Sequence, residues 1–291
     1  MNCKICQHAT IHQFVTRVLD KYDVHYYKCP RCSFLQTEYP FWLPESYEEA
    51  ITDLDIGYVA RNISLSEIVT SVIKLTGNTR GRFVDYGGGY GLFVRLLRDK
   101  GFDFYRQDTY CKNIFARNFD VKDRPLPEKF DMLTAFEVFE HLEDPLSEIE
   151  KMFEYADTLL FSTALQPNRS LTNPNEWWYI APETGQHISF YHRSTLEYLA
   201  QRFQCNLYTD GSGLHMLTKE RWRINVINLI SRFYWLRNRL LSRHFHGSRG
   251  LMAHDSRIAK ESLKVKQAKQ GIKLNGKSLA DSDVTPLLAT E

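Results

Sequence analysis

Residues 82–98 have the sequence RFVDYGGGYGLFVRLLR, and this stretch decides the fold class. Residues 83–86 form a short apolar segment typical of a buried strand. Leucine and phenylalanine recur at helical spacing over residues 92–97. Between the two lies a G-x-G-x-G turn at Gly87, Gly89 and Gly91. A strand, a glycine turn and a helix are the first unit of a doubly wound α/β domain, where ligands bind at the carboxyl ends of parallel strands.

The spacing of the glycines differs from that of the dinucleotide fingerprint. That fingerprint needs G-x-G-x-x-G, so that a pyrophosphate can rest on the helix N-terminus. Here the third glycine comes one residue early, and Asp85 directly precedes the turn. An acid at this point favours a ligand that carries an ammonium group.

Two further segments predict strands that end at the same edge of the sheet. Residues 103–107 read as the second strand, and Asp108 follows it. An acid at the end of a second strand can accept both hydroxyls of a ribose. Residues 130–135 form another apolar strand, after which come Glu140 and His141.

These features together resemble class I S-adenosylmethionine-dependent methyltransferases. The resemblance rests on Asp85 with its three glycines, on Asp108 and on the E-H-L-x-D-P stretch at 140–145, and it covers roughly residues 50–219. It is closest to the methyltransferase-domain family with an E-V-x-E-H segment after the fourth strand. The resemblance implies a Rossmann-like, mostly parallel seven-stranded sheet. Its last two strands would be a reversed hairpin at residues 207–209 and 214–218.

The same resemblance implies where the cofactor S-adenosylmethionine binds. The glycine loop, Asp85 included, would pack against the methionine part, and Asp108 would hold the ribose. The residues expected to line the adenosyl and methyl region are Phe136, Glu137 and Val138.

Methyl transfer from a sulfonium is an in-line displacement with a good leaving group, so alignment of the reactants dominates catalysis. A hydroxyl nucleophile must also lose its proton, and histidine is the commonest general base. His141 follows the fourth strand, and His187 lies in a G-Q-H stretch that the family also shows before its last helix. We predict both as catalytic, with a structural role that pins a loop as the alternative for each.

Four of the six cysteines predict a metal site at the N-terminus. Two C-x2-C pairs are separated by 22 residues, and short strands are expected at residues 11–15 and 24–27 between them. Four thiolates in two knuckles bind zinc tetrahedrally and leave no open position, which favours a structural ion over a catalytic one. The alternative is a set of reduced core thiols. The predicted ligands are Cys3, Cys6, Cys29 and Cys32.

The C-terminal part differs from the rest in charge. The whole chain carries 37 Lys and Arg against 35 Asp and Glu, a net charge of +2. From Lys219 onward there are 15 basic and 6 acidic residues, so this part carries +9 and the body carries −7. Residues 221–246 predict a basic amphipathic helix. It would contact an anionic membrane surface, or it would pack on the domain or on a second copy in a homodimer.

The first 20 residues lack the apolar segment of a signal peptide, and no run of about 18 apolar residues predicts a transmembrane helix. Six cysteines in such a chain are expected to be reduced, so we expect a cytoplasmic protein. The predicted organisation is a zinc-ribbon-like segment over 1–40, a methyltransferase domain over 41–219, a helix over 220–246 and a polar, partly disordered tail over 247–291.

The predicted function is O-methylation of a sugar or glycan of the kind found in surface polysaccharides. Trp177, Trp178 and Tyr179 follow a polar, turn-rich segment and would either cover the site or close the core. The alternatives are an RNA methyltransferase, which the acidic body disfavours, and a non-catalytic scaffold, which Asp85, the glycines and Asp108 disfavour.

Overall fold

The structure is a computed structural model that describes residues 1–47, 55–123, 129–244, 257, 258 and 261. The chain divides into two units, residues 1–50 with 59–246 and residues 51–58 with 247–291. All strands and the candidate site lie in the first unit. The predicted tail from 247 onward lies almost entirely outside the described residues.

The first unit contains ten strands and six α-helices among its described residues. The strands are β1 (Ile11–Val18), β2 (Tyr22–Lys28), β3 (Leu35–Thr37), β4 (Arg82–Tyr86), β5 (Asp103–Gln107), β6 (Met132–Ala135), β7 (Thr158–Ser162), β8 (Ser189–Phe190), β9 (Asn206–Thr209) and β10 (Leu214–Thr218). The helices are α1 (Leu43–Ser46), α2 (Tyr58–Thr76), α3 (Leu92–Asp99), α4 (Pro145–Tyr155), α5 (Arg193–Arg202) and α6 (Val226–His244).

The large sheet has the strand order β5-β4-β6-β7-β10-β9. The first four strands are parallel, and β10 runs antiparallel to both β7 and β9. The predicted reversed hairpin is therefore confirmed. Every residue of β6 and β7 is buried, as expected of central parallel strands covered on both faces.

The predicted number of seven strands is wrong for the described residues, which form six in this sheet. Beside β5, where a seventh strand would lie, only a single parallel bridge joins Arg106 to Asp120. The polar, proline-containing segment 116–129 offers no alternating or continuous apolar run that would extend this bridge into a strand.

Helices cover both faces of this sheet. On each face the helices and the sheet share a separate apolar cluster. One cluster joins α2, α3 and the start of α6 to the sheet, with Val72, Leu97 and Ile227 fully buried. The other joins α4 and α5 to the opposite face through Met152 and Leu199. The doubly wound α/β fold class is thus confirmed.

A second, antiparallel sheet has the order β1-β2-β3-β8. The two strands predicted between the cysteine pairs are present as β1 and β2. The fourth strand comes from far along the chain, because Leu35 and Gln36 of β3 pair with Phe190 and Ser189. The N-terminal segment and the segment that follows the G-Q-H stretch therefore share one sheet.

The C-terminal helix begins later than predicted, at Val226 instead of residue 221. Asn225 sets the start, since its side chain accepts a hydrogen bond from the backbone N–H of Asn228 at 3.0 Å. The apolar residues of this helix differ in burial. Val226, Ile227 and Ile230 are buried in the core, whereas Leu229, Phe233 and Leu236 are exposed.

Within the described residues, no helix has the length and apolar character needed to cross a membrane.

Candidate active site and cysteine cluster

The glycine loop after β4 packs closely against Val138, which follows β6. Gly87 has φ +67°, and a Cβ there would lie 2.7 Å from Cγ2 of Val138, so only glycine fits without movement. The backbone N–H of Gly87 donates to the carbonyl of Gln107 at 2.9 Å. The loop is therefore held between the ends of β5 and β6.

Asp85 is buried beneath this loop at the end of β4. It is 4% exposed, and its Oδ1 accepts a hydrogen bond from the hydroxyl of Thr134 at 2.6 Å. Burial raises the pKa of Asp85 to about 7, although the Thr134 hydrogen bond opposes the rise. A cation bound nearby would favour the charged carboxylate.

Asp108 ties the end of β5 to the glycine loop. Its Oδ2 accepts from the backbone N–H of Gly89 at 2.9 Å, and its Oδ1 accepts from the N–H groups of Tyr110 and Cys111. The carboxylate thus lies at the carboxyl edge of the parallel strands, where the sequence predicted it. Two donors already fill the lone pairs of Oδ1, whereas Oδ2 keeps one lone pair for a further donor.

Arg106 is a supporting residue that the sequence analysis missed. It is 2% exposed on β5, and its Nε donates to the carbonyl of Gly89 at 2.6 Å. Its Nη1 pairs with Asp120 at 2.7 Å, and its Nη2 donates to the carbonyl of Cys111. An arginine directly after the apolar pair Phe104 and Tyr105 of a predicted strand was the available signal, since such a residue is buried only when it is paired.

The segment predicted to line the adenosyl and methyl region follows β6 directly. Phe136 packs edge-on against Phe93 of α3. Glu137 has φ +55°, and both its backbone N–H and its carboxylate bond the hydroxyl of Ser162. A non-glycine residue in this region of backbone space is typical of functional sites. Val138 is the neighbour that covers Gly87.

The two predicted histidines come together although 45 residues separate them. The rings of His141 and His187 lie 5.0 Å apart between centroids, edge to face. Burial lowers the pKa of His141 to about 3, and the His187 ring adds to this effect. Burial also lowers the pKa of His187. Both imidazoles are therefore neutral near pH 7 and carry a free lone pair.

Hydrogen bonds at Nδ1 fix the orientation of each ring. His187 Nδ1 donates to the carbonyl of Tyr179 at 2.7 Å. His141 Nδ1 lies 3.1 Å from the carbonyl of Gln186 and 2.9 Å from the hydroxyl of Tyr47. Since a carbonyl only accepts, these contacts place the proton on Nδ1 and leave the lone pair on Nε2.

Glu140 completes the cluster and was not predicted as a site residue. It is fully buried, and within the described part of the chain neither carboxylate oxygen has a hydrogen-bond partner. The hydroxyls of Tyr179 and Thr163 lie close enough to favour the charged form, but neither completes a hydrogen bond. Burial nevertheless raises the pKa of Glu140 to about 8. One ligand atom each from Glu140, His141 and His187 lie within 4.8 Å of one another.

Trp177, Trp178 and Tyr179 were expected either to cover the site or to close the core, and they do not all have the same role. Trp177 and Tyr179 are buried in a core that they share with the second sheet, whereas Trp178 is 79% exposed. The core role therefore holds for the first and third residues. Tyr179 also supplies the carbonyl that orients His187.

The four cysteines meet in one buried cluster. Their sulfur atoms all lie within 4.8 Å of one another, with Cys3 and Cys32 at 3.6 Å and Cys6 and Cys29 at 3.3 Å. Both C-x2-C pairs are followed by a residue with positive φ, Gln7 or Ser33, at which the chain turns back. The cluster is linked to α5, because Thr195 Oγ1 donates to the carbonyl of Cys32 at 2.7 Å.

Residues 61–209 match the family model described as a methyltransferase domain, which is just over half of the chain. The chain belongs to this methyltransferase-domain family. The match includes the glycine loop, Asp108, the E-H stretch and the G-Q-H stretch. The predicted enzyme class, an S-adenosylmethionine-dependent methyltransferase, is confirmed.

Several solved structures resemble the chain at low identity. The plantazolicin methyltransferase BpumL, in complex with a monoazolic desmethylPZN analog and SAH, is 14% identical with a TM-score of 0.41, over 62% of this chain and 93% of that one. The magnesium protoporphyrin IX methyltransferase ChlM from Synechocystis PCC 6803 is 15% identical with a TM-score of 0.39, over 60% and 92%. TnmH is 15% identical with a TM-score of 0.38, and the match spans 56% of this chain and 57% of TnmH.

These likenesses concern the fold alone. No curated protein matches the sequence.

Proposed function

We propose that this methyltransferase transfers the methyl group of S-adenosylmethionine to a hydroxyl of a sugar or glycan. The observation that carries the proposal is the pair His141 and His187, two neutral imidazoles that meet directly after the strand β6. Amine acceptors that are neutral need no base, whereas a hydroxyl must lose a proton as it attacks.

The cofactor would lie across the carboxyl ends of β4, β5 and β6. The glycine loop with Gly87, Gly89 and Gly91 would take the methionine part, with Asp85 favouring its ammonium group. Asp108 would hold the ribose by accepting a hydroxyl through the lone pair of Oδ2 that the backbone leaves free. Phe136, Glu137 and Val138 would line the adenosyl and methyl region.

The reaction would be an in-line displacement at the methyl carbon. The acceptor oxygen forms the new C–O bond while the S–C bond breaks, and its electron pair stays on sulfur as the neutral thioether. The acceptor proton passes to a histidine Nε2, for which His187 is placed by its bond to Tyr179. The protein contributes alignment of the two reactants and removal of this proton.

Two features favour a sugar over RNA as the acceptor. Trp178 presents an exposed indole next to the residue that orients His187, and aromatic faces suit the apolar faces of sugar rings. Residues 1–218 carry a net charge of −7, which repels a polyanion.

We also infer that the four cysteines hold a structural zinc ion. Zinc–sulfur bonds of about 2.3 Å in a tetrahedron place sulfur atoms about 3.8 Å apart. The two sulfur pairs at 3.3 and 3.6 Å fit such a site, and no two of the four sulfur atoms are more than 4.8 Å apart. Four thiolates fill the coordination sphere, so the ion would stabilise the segment and take no part in methyl transfer.

Methyl-labelled S-adenosylmethionine and a panel of acceptors test the proposal. The full chain is incubated with nucleotide sugars, oligosaccharides, amino sugars and RNA, and products are identified by mass spectrometry. Label on a sugar oxygen is expected. Label on RNA alone, or on an amine alone, would overturn the proposal.

Contact of α6 with a membrane or with a second copy, and a cytoplasmic location, stay predictions.

A further inference from the structure

The carboxylate of Glu140 is buried without a completed hydrogen bond. Both oxygens are fully buried, and among the described residues neither has a hydrogen-bond partner. Burial of a carboxylate without partners is costly, and buried charges in proteins are usually paired or bound to metal. Among the residues that the structure describes, no positive group forms an ion pair with Glu140.

One ring nitrogen of each histidine lies close to the carboxylate of Glu140. Nδ1 of His187 is held by the carbonyl of Tyr179 at 2.7 Å, and Nδ1 of His141 lies 3.1 Å from the carbonyl of Gln186. Metal-binding histidines usually donate their second N–H to a carbonyl in this way, which fixes the tautomer and the ring orientation. One ligand atom from each histidine and one from Glu140 lie within 4.8 Å of one another.

A general base alone does not explain this arrangement. Proton removal needs one imidazole lone pair, whereas the cluster offers two together with an unpaired carboxylate. The neighbouring acid Glu137 does not serve Glu140 as a partner, because its carboxylate accepts from Ser162 and lies 4.0 Å from Arg61. Two imidazoles and one carboxylate are a common ligand set for divalent transition metals, with positions left open for water or substrate.

We propose that Glu140, His141 and His187 bind a divalent metal ion that is separate from the zinc of the four cysteines. The inference rests on the proposed function, of which it keeps the hydroxyl acceptor and changes the role of the histidines, because an open coordination position would bind that hydroxyl. A metal ion lowers the pKa of a bound hydroxyl, so the proton would pass to water. The histidines would then hold the ion that acidifies the acceptor, in place of taking the proton themselves.

Metal binding is measured on the full chain with its zinc retained and SAH present. Electron paramagnetic resonance detects Mn²⁺ without interference from zinc, and elemental analysis gives the total metal content. We expect wild type to bind one Mn²⁺ per chain. Glu140→Gln should lose this equivalent while keeping one zinc. Glu143→Gln, which changes an exposed carboxylate three residues away, should bind Mn²⁺ as wild type does.

A second ligand variant and a folding control keep the test decisive. His187→Ala should also lose Mn²⁺, and the circular dichroism of both variants should match wild type. If Glu140→Gln does not fold, the loss of Mn²⁺ must be seen in folded His187→Ala. Absence of Mn²⁺ binding to wild type, or full binding to both ligand variants, would overturn the inference.

The same experiment separates this inference from the proposed function. Methyl transfer to a sugar hydroxyl that continues without any bound divalent ion at the cluster would leave the function standing and overturn the metal site. One Mn²⁺ per chain, lost in Glu140→Gln but accompanied by no transfer to any hydroxyl, would support the metal site and overturn the proposed acceptor class.

Discussion

The carboxylate Oδ2 of Asp108 accepts a hydrogen bond from the backbone N–H of Gly89 at 2.9 Å. Asp108, which follows strand β5, thereby fixes the position of the glycine loop, which follows strand β4. The residue predicted to bind the ribose and the loop predicted to bind the methionine part are joined by this hydrogen bond. A substitution of Asp108 should therefore affect the binding of both parts of the cofactor.

Asp108→Ala should weaken binding of S-adenosylmethionine by about 10- to 100-fold, since hydrogen bonds to a charged group contribute about 1.5–3 kcal/mol. Asp108→Asn keeps one acceptor oxygen and should lose less. Isothermal titration calorimetry gives both dissociation constants. Asp99→Ala, an exposed carboxylate on α3, is the control. Equal affinity of wild type and Asp108→Ala would exclude the assigned role.

Gly87→Ala should destabilise the protein more than Gly101→Ala does. Both glycines have positive φ, so both substitutions cost about 1–2 kcal/mol of backbone strain. Only at Gly87 does the new methyl group meet a neighbour, Val138 at 2.7 Å, whereas Gly101 faces open space. Overpacking should add about 1–3 kcal/mol. Urea unfolding measures the difference, and equal free energies of unfolding would contradict the close packing of the loop.

Asp85→Asn should change how stability depends on pH. Burial raises the pKa of Asp85 from 3.8 to about 7, so the folded protein binds a proton that the unfolded chain has released. Between these values stability should fall as pH rises, by about 1.4 kcal/mol per pH unit for this group. Comparison of urea unfolding of the two proteins from pH 4.5 to 7 isolates the contribution of Asp85. A difference that stays constant across this range would disprove the raised pKa.

Cys3→Ser should remove zinc and loosen a strand that follows the candidate site. Since β3 pairs with β8, loss of the ion should raise hydrogen exchange at Ser189 and Phe190 and destabilise the chain by several kcal/mol. Cys205→Ser, a partly buried cysteine outside the cluster, should leave zinc and exchange unchanged. Zinc loss with full protection of β8 would show that the two segments are independent.

The sequence predicted the features that depend on short-range patterns. The strand, glycine turn and helix around Gly87 are local, and so are the C-x2-C pairs. The two histidines were selected because each lies in a family-like stretch, but nothing in the sequence placed them 5.0 Å apart. That proximity depends on how the segment after β6 packs against the G-Q-H stretch, where the N–H of Ile188 donates to the carbonyl of Glu140 at 2.9 Å.

The features that were missed depend on long-range packing. Arg106 was read as an ordinary strand residue, because the carbonyls and Asp120 that pair with it come from three separate segments. Glu140 looked like a polar residue at a strand end, and only the fold shows that it is buried without a partner. The helix start at Val226 was missed for a local reason, because Arg221 and Arg223 have good helical propensity and the cap at Asn225 overrides it.

The most direct test of the account is methyl transfer by His187→Ala to the hydroxyl acceptor found with wild type. We expect the turnover number to fall by about 10²–10⁴-fold, the usual contribution of a group that removes the acceptor proton. The dissociation constant of S-adenosylmethionine should stay unchanged, and His12→Ala, an exposed histidine on β1, should turn over normally. Full turnover by His187→Ala with normal cofactor binding would contradict the claim that this cluster activates the acceptor.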